Sequence, residues 1–133
     1  MVVAVAVIVG ALVLSWALPD PGVVIENSGE GTIASVRVLL LEETTRDVVG
    51  EAWTRGIPSG AERRVALDPT CDSIVGLEVT QGGTSYRYEI REYISPATPK
   101  VLHVRVRDGA ILTVRVRGSW GVRYEGQQWS RVP

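Results

Sequence analysis

The sequence has few of the residues on which disulfides, metal sites and aromatic cores depend. Its 133 residues include no phenylalanine, one cysteine and one histidine. The single Cys71 excludes an intrachain disulfide, and one cysteine with one histidine cannot supply the ligands of a zinc site. We therefore expect no metal and no cofactor. Cys71 is interpreted as a small, partly buried residue, with intermolecular pairing as the alternative.

The patterns that build catalytic sites are missing as well. No serine lies in a Gly-x-Ser-x-Gly elbow, and the sole histidine, His103, alternates with arginines in a predicted strand. The glycines at 29–31 and 82–83 do not precede helical patterns, so they predict hairpin turns rather than phosphate cradles. We interpret the chain as a non-enzyme without a small-molecule substrate.

Charge of one sign is not in excess. The 14 basic and 15 acidic residues give a formal net charge of −1. This balance provides no bulk attraction to nucleic acid, so no nucleic-acid partner is expected. Lys100 is the one lysine, and the other basic residues are arginine. This bias reflects either genome composition or a role for planar, bidentate donors.

The longest apolar run lies at the N-terminus. Val2 to Leu18 carry no charge, and as a helix they would span about 25 Å, near the lower limit for a bilayer core. Trp16 would lie at the headgroup level, and the Pro19–Gly22 segment ends the helix. We predict a single-pass transmembrane anchor over residues 1–18 and a linker over 19–22.

A cleaved signal peptide is the alternative reading of the same run. Ser15 and Ala17 could precede a cleavage site, but the basic region of a signal peptide is absent. Small residues also form two stripes at helical spacing. One stripe holds Ala6, Gly10 and Ala17, and the other holds Ala4, Ala11 and Ser15. Such stripes let helices approach closely in lipid, so we expect packing against other membrane-complex subunits, with abundant alanine as the alternative explanation.

From Val23 onward the sequence predicts short strands separated by turn clusters. The predicted strands are 23–26, 33–41, 48–54, 62–67, 73–80, 85–94, 101–107 and 111–117. Their rhythm predicts an all-β sandwich of about 7–8 strands over residues 23–117, after one N-terminal transmembrane helix. The run from Val24 to Val114, with its Ile57–Gly60 turn, resembles the Ig-like and transthyretin-like sandwiches of bacterial envelopes.

The last predicted hairpin has two candidate registers. Asp108-Gly109 is typical of a two-residue type I′ turn, but that register mixes the apolar and polar sets of the two strands. A three-residue loop over 107–109 pairs Val104 with Leu112 and keeps the apolar face intact. We therefore predict the three-residue loop, with a bulge at its glycine.

That register gathers four basic or titratable side chains on one outward face. The arginine strip, as we term this face, consists of His103, Arg105, Arg115 and Arg117. It is interpreted as a solvated outer face or, alternatively, as a docking strip for an acidic protein surface or lipid headgroups. Like charges on adjacent strands are unfavourable, so acidic neighbours are expected, with Glu89 and Glu92 as candidates.

The C-terminal tail, residues 118–133, differs in composition from the predicted sandwich. Trp120, Tyr124 and Trp129 lie there among glycine, glutamine and arginine, a composition typical of interface anchors. The tail is interpreted either as a partner contact or as one more edge strand over 122–125.

Two functions fit these expectations. The first is a non-catalytic accessory subunit of a larger membrane complex, of which a photosynthetic or respiratory assembly is one setting. Its anchor would contact the lipid bilayer and other subunits. The absence of basic residues after the span favours an extracytoplasmic, periplasmic domain. The second is a free-standing exported module that binds a carbohydrate, a peptide or an envelope component, which an exposed aromatic platform would favour.

Overall fold

The computed structural model describes residues 20–118, 121–125 and 129–133, which form two packed β-sheets. The strands are β1 (Gly22–Asn27), β2 (Ile33–Glu42), β3 (Val48–Ile57), β4 (Glu62–Ala66), β5 (Ser73–Gln81), β6 (Thr84–Ile94), β7 (Lys100–Arg107), β8 (Ala110–Gly118), β9 (Gly121–Glu125) and β10 (Trp129–Val132). The first sheet has the order β4-β1-β7-β8-β9, and the second has the order β10-β6-β5-β2-β3. Paired strands are antiparallel except β1 and β7, which run parallel.

This architecture confirms the all-β, two-sheet prediction. Each of the eight predicted strands is present, but the described residues form ten, so the expected number of about 7–8 is too low. The two additional strands, β9 and β10, lie in the tail and extend opposite sheets by pairing with β8 and β6. β9 matches the edge strand over 122–125 that is one interpretation of the tail, whereas no strand is predicted at the position of β10.

The predicted anchor lies outside the described residues. This applies to the two stripes of small residues and to Trp16, whose proposed roles therefore stay predictions. In the part of the chain that the structure describes, no helix is long and apolar enough to cross a membrane.

Aliphatic side chains fill the space between the sheets. Inward residues of β7 and β8 such as Leu102 and Val114 meet inward residues of β2 and β5 such as Val38 and Leu77, all fully buried. One aromatic residue, Tyr88, is buried in this cluster, and its hydroxyl donates a hydrogen bond of 2.7 Å to the Gly109 carbonyl. Period-two alternation thus supplies a core without phenylalanine.

Buried amide side chains connect the turns at one end of the sandwich. The Asn27 Nδ2 group donates to the carbonyls of Gly31 at 2.8 Å and Ile57 at 2.9 Å, and its Oδ1 accepts from the Gly29 amide at 3.0 Å. Gln81 also donates to the Gly31 carbonyl and accepts from the Gly109 amide. These bonds satisfy backbone groups that would otherwise be buried without partners.

The β7–β8 hairpin differs from its prediction. Its turn has two residues, with φ of 50° at Asp108 and 80° at Gly109, so the predicted three-residue loop is wrong. Val104 lies opposite Val114, and Leu112 is an additional bulge residue that is 42% exposed. The bulge within β8 resets the alternation, so the chain keeps both the type I′ turn and the apolar inner face.

A second apolar cluster lies on the outer face of the second sheet. Leu39, Leu41 and Ile74 are each at most 5% exposed although they point away from the main core. The β2–β3 loop reaches across this region, since Arg46 lies 3.8 Å from Glu89 on β6. The loop therefore reaches from β2 to β6 on the outer face of this sheet.

Candidate functional site

The arginine strip lies on the outer face of the first sheet. His103 on β7 pairs directly with Arg115 on β8, while Arg105 lies opposite Thr113. The three arginines are exposed and the histidine is half-buried. Although the predicted turn was wrong, the bulge preserves the outward orientation of these side chains, so the four residues share the face expected for them.

The acidic neighbours of the strip are not those expected. The Glu26 carboxylate on β1 lies 3.4 Å from His103 Nε2 and 3.8 Å from Arg105 Nε, and Glu62 on β4 lies 3.7 Å from His103. The expected neighbours lie elsewhere, with Glu89 beside Arg46 and Glu92 bonded to Lys100.

The parallel pairing of β1 with β7 explains this difference, because it places β1 and β4, rather than β6, beside the strip. His103, Arg105 and Arg115 line a shallow pocket of about 310 Å³ that also includes Glu26. The charge of the strip is therefore mixed, which weakens the interpretation as a cationic docking strip.

The aromatic tail does not form a single surface in the described residues. Trp120 lies outside them, and Tyr124 lies on β9 at the edge of the first sheet, opposite Arg115. Trp129 lies on β10 at the edge of the second sheet and packs, half-buried, against the main core. Of the two interpretations of the tail, the backbone of β9 and β10 matches the edge strand.

In the part of the chain that the structure describes, three of the five exposed large hydrophobic side chains lie on β3, outside the predicted site residues. β3 is one of the two edge strands of the second sheet, and no other strand in the described ranges pairs with its outer edge. It exposes Val48 at 50%, Val49 at 40% and Trp53 at 50%. At ten residues it is also the longest edge strand, compared with five for β4, five for β9 and four for β10.

Charged side chains contact the Trp53 ring on the outer face of β3. Arg37 and Arg55 place their guanidinium carbons 5.6 Å and 5.4 Å from the ring centroid, within the range of cation–π attraction. The indole Nε1 donates a 2.5 Å hydrogen bond to Glu51. The aromatic ring is therefore oriented before any partner binds.

Glu51 accepts hydrogen bonds from both Arg37 and Trp53. Arg37 donates to its carboxylate at 2.9 Å and also approaches Glu78 at 3.4 Å. The hydrogen bond from Arg37, and then that from Trp53, lower the pKa of the Glu51 carboxyl below its ordinary value. Glu51 is therefore ionised at neutral pH, and its carboxylate places a negative charge beside the Trp53 ring.

The regular part of β3 is short and bounded on both sides. A register shift between Leu40 and Leu41 leaves Val49 without a direct partner on β2. Gly56 at the other end has a φ of 66°, a conformation that favours glycine. Between these irregularities, Glu51, Trp53 and Arg55 point outward in regular alternation. The sequence EAWTR at 51–55 predicts this alternation, but a single sequence does not reveal which strand lies at an edge.

A groove runs from Trp53 across the outer face of the second sheet. It has a volume of about 450 Å³ and ends at Val132 of β10 and the adjoining Pro133. Hydroxyl groups lie along its floor, and those of Thr80 and Ser85 are 2.8 Å apart. The combination of one aromatic ring, hydroxyls, arginines and a carboxylate is suited to hydrogen bonding with a polar ligand.

The described residues offer no grouping of three or more His, Cys, Asp or Glu side chains that could hold a metal. Cys71 is half-buried, and its Sγ lies 3.7 Å from the Ser73 hydroxyl. Comparison with known protein families, curated proteins and solved structures finds no match to this chain.

Proposed function

We propose that the chain is a non-catalytic accessory subunit of a membrane protein complex, and that β3 is the strand with which its sandwich docks onto a protein partner. The observation that carries the proposal is the outer edge of β3, which pairs with no other strand in the described ranges and exposes Val48, Val49 and Trp53 by 40–50%. An open edge presents a row of unpaired amide and carbonyl groups that can bind another strand.

The form of the edge supports docking rather than protection from it. Proteins shield edge strands with lysine and other charged side chains, proline, β-bulges or very short length. β3 is ten residues long and has neither lysine nor proline, and its bulge at Val49 lies outside the stretch from Glu51 to Arg55. The two charges of this stretch have opposite sign and flank a tryptophan whose indole is hydrogen-bonded to Glu51. Tryptophan is among the residues that contribute most to binding energy at interfaces.

The strand order supports assigning the sandwich to the transthyretin-like class. In immunoglobulin domains the first strand pairs with the second. Here β1 lies between β4 and β7, and β2 belongs to the opposite sheet. The apolar N-terminal run serves in this proposal as a single-pass anchor, with the sandwich on the periplasmic side.

The test uses the full-length chain purified with its partners in mild detergent. Val49→Lys and Trp53→Lys should each reduce the recovery of the partner, because both place a strongly hydrated charge on the docking edge. Leu112→Lys is the matched control, since Leu112 is a similarly exposed apolar residue on the other sheet. Hydrogen exchange provides the second readout, and amides of β3 should become protected in the complex.

Equal recovery of partners by β3 variants and wild type, with unprotected β3 amides, would refute the docking role. Mass spectrometry of the same preparation tests the anchor separately. A mature chain that lacks the residues before Leu18 would contradict the membrane-subunit proposal.

The second candidate function is an exported module that binds a carbohydrate or peptide. The observation in its favour is the groove that begins at Trp53 and contains Thr80, Ser85 and Arg87. Arg87→Ala and Thr80→Ala change the groove without changing the edge of β3. Loss of glycan or peptide binding in these variants, measured by calorimetry, would support this function over docking.

A further inference from the structure

We infer that the partner of β3 is the β3 strand of a second copy of this chain, paired antiparallel about a two-fold axis at Trp53. The inference rests on the proposed docking role of β3 and names its occupant. Two sheets related by an axis perpendicular to their surface keep their outward side chains on the same side. The two second sheets would then form one continuous ten-stranded sheet.

The charges of β3 select the register of this pairing. With the axis at Trp53, each Glu51 lies opposite Arg55 of the second copy, and the two indole rings are cross-strand neighbours. Opposite charges and aromatic pairs at facing positions stabilise antiparallel strands. The outward row of β3 is therefore complementary to itself.

Other positions of the axis lose this complementarity. An axis at Ala52 places Glu51 opposite Trp53, and one at Thr54 places Arg55 opposite Trp53, which leaves the charges unpaired. An axis at Glu51 places two carboxylates opposite each other, which is unfavourable. Among these registers, the one centred on Trp53 is the one that pairs both charges.

The backbone limits allow this centre, and the charge pairing, rather than the backbone, distinguishes it from a centre at Ala52. The irregularity at Val49 and the positive φ of Gly56 confine regular pairing to the stretch between them. Five residues, Glu51 to Arg55, lie symmetrically about Trp53 within this stretch. Five paired residues span about 17 Å. A contact of this length buries less area than the roughly 800 Å² per partner of a standard interface. We therefore expect a weak, concentration-dependent dimer.

Charge reversal provides a test in which a mixture of two variants should restore the dimer. Glu51→Arg alone places arginine opposite arginine, and Arg55→Glu alone places glutamate opposite glutamate, so each variant should dimerise at least about tenfold more weakly than wild type. In an equimolar mixture of the two variants, both positions of one copy carry arginine and both positions of the other carry glutamate. Each arginine then faces a glutamate across the axis, so the mixture should recover a heterodimer.

The measurement is native mass spectrometry and sedimentation velocity of the full-length chain in mild detergent, over a range of concentrations. Glu30→Arg and Arg107→Glu are the matched controls, since both residues are exposed and neither belongs to β3. Because Glu51 also binds Arg37, circular dichroism verifies that each variant is folded. Arg55→Glu keeps the test valid if Glu51→Arg does not fold, since it should weaken the dimer by itself.

Dimers in wild type and both controls, their loss in each single variant and their return in the mixture support the inference. A wild-type chain that is monomeric at every concentration would overturn it, as would a mixture that fails to form heterodimers when both variants are folded. If the chain is monomeric but a different protein protects the β3 amides from exchange, the self-pairing fails and the docking role stands. If neither a copy nor another protein protects β3, both proposals fail.

Discussion

Asn27 provides the sharpest test of how the sandwich is held together. Its side chain is fully buried and makes three hydrogen bonds, two as donor to the carbonyls of Gly31 and Ile57 and one as acceptor from the Gly29 amide. Asn27→Ala removes all three. The Gly31 carbonyl keeps its bond from Gln81, whereas the Ile57 carbonyl and the Gly29 amide lose the side-chain partner that satisfies them.

The expected loss follows from the number of bonds. A buried hydrogen bond contributes about 1 kcal/mol net, so three bonds predict a loss of about 3 kcal/mol in the free energy of unfolding. For a domain of this size, 1 kcal/mol corresponds to about 4 °C in Tm, which predicts a decrease of about 12 °C. Urea unfolding followed by tryptophan fluorescence measures the first quantity, and calorimetry measures the second.

Asn27→Asp separates hydrogen bonding from side-chain volume. Aspartate keeps the acceptor for the Gly29 amide, but at neutral pH its second carboxylate oxygen would face two carbonyl oxygens. It should therefore be less stable than Asn27→Ala at pH 7, although it is closer in shape to the native residue. An aspartate variant as stable as wild type, or an alanine variant that loses less than about 0.5 kcal/mol, would refute the reasoning.

Two further predictions concern the hairpin bulge and the outer face of β3. Leu102→Ala should lower the free energy of unfolding by about 2–5 kcal/mol, because the Leu102 side chain is fully buried. Leu112→Ala should change it by less than about 0.5 kcal/mol, because Leu112 is an exposed bulge residue. Comparable losses for the two variants in urea unfolding would contradict the bulge. In an NMR titration, the pKa of the Glu51 carboxyl should lie below its ordinary value. Arg37→Met should raise this pKa, because it removes the hydrogen bond from Arg37. Because the folded pKa is the lower one, the stabilisation from Glu51 is present above the unfolded pKa and decreases as pH falls through the folded pKa.

The positions of the strands could be predicted from the sequence because they depend on local alternation. In β7, for example, Leu102 and Val104 point inward while His103 and Arg105 point outward, as the period of two requires. Turn chemistry was equally informative, since Asp108-Gly109 forms the two-residue turn that its composition favours. The predicted three-residue loop is wrong because one bulge residue, Leu112, restores the alternation without it.

The neighbours of each strand could not be predicted in the same way. Nothing near His103 in the sequence indicates that Glu26 will lie 3.4 Å away, because that contact depends on the parallel pairing of β1 and β7. The same limit applies to the candidate site. Residues 48–54 were predicted as a strand that carries Trp53, but only the order of strands in the sheet makes it an edge.

The parallel pairing of β1 with β7 also constrains how the chain can fold. Gly22 lies opposite Val101, so β1 can pair with β7 only after most of the domain has been synthesised. The β2–β3 and β5–β6 hairpins can form much earlier from adjacent segments. Contacts between residues distant in sequence slow folding. The first sheet should therefore close last, which makes docking of β1 the expected late step in folding of the sandwich.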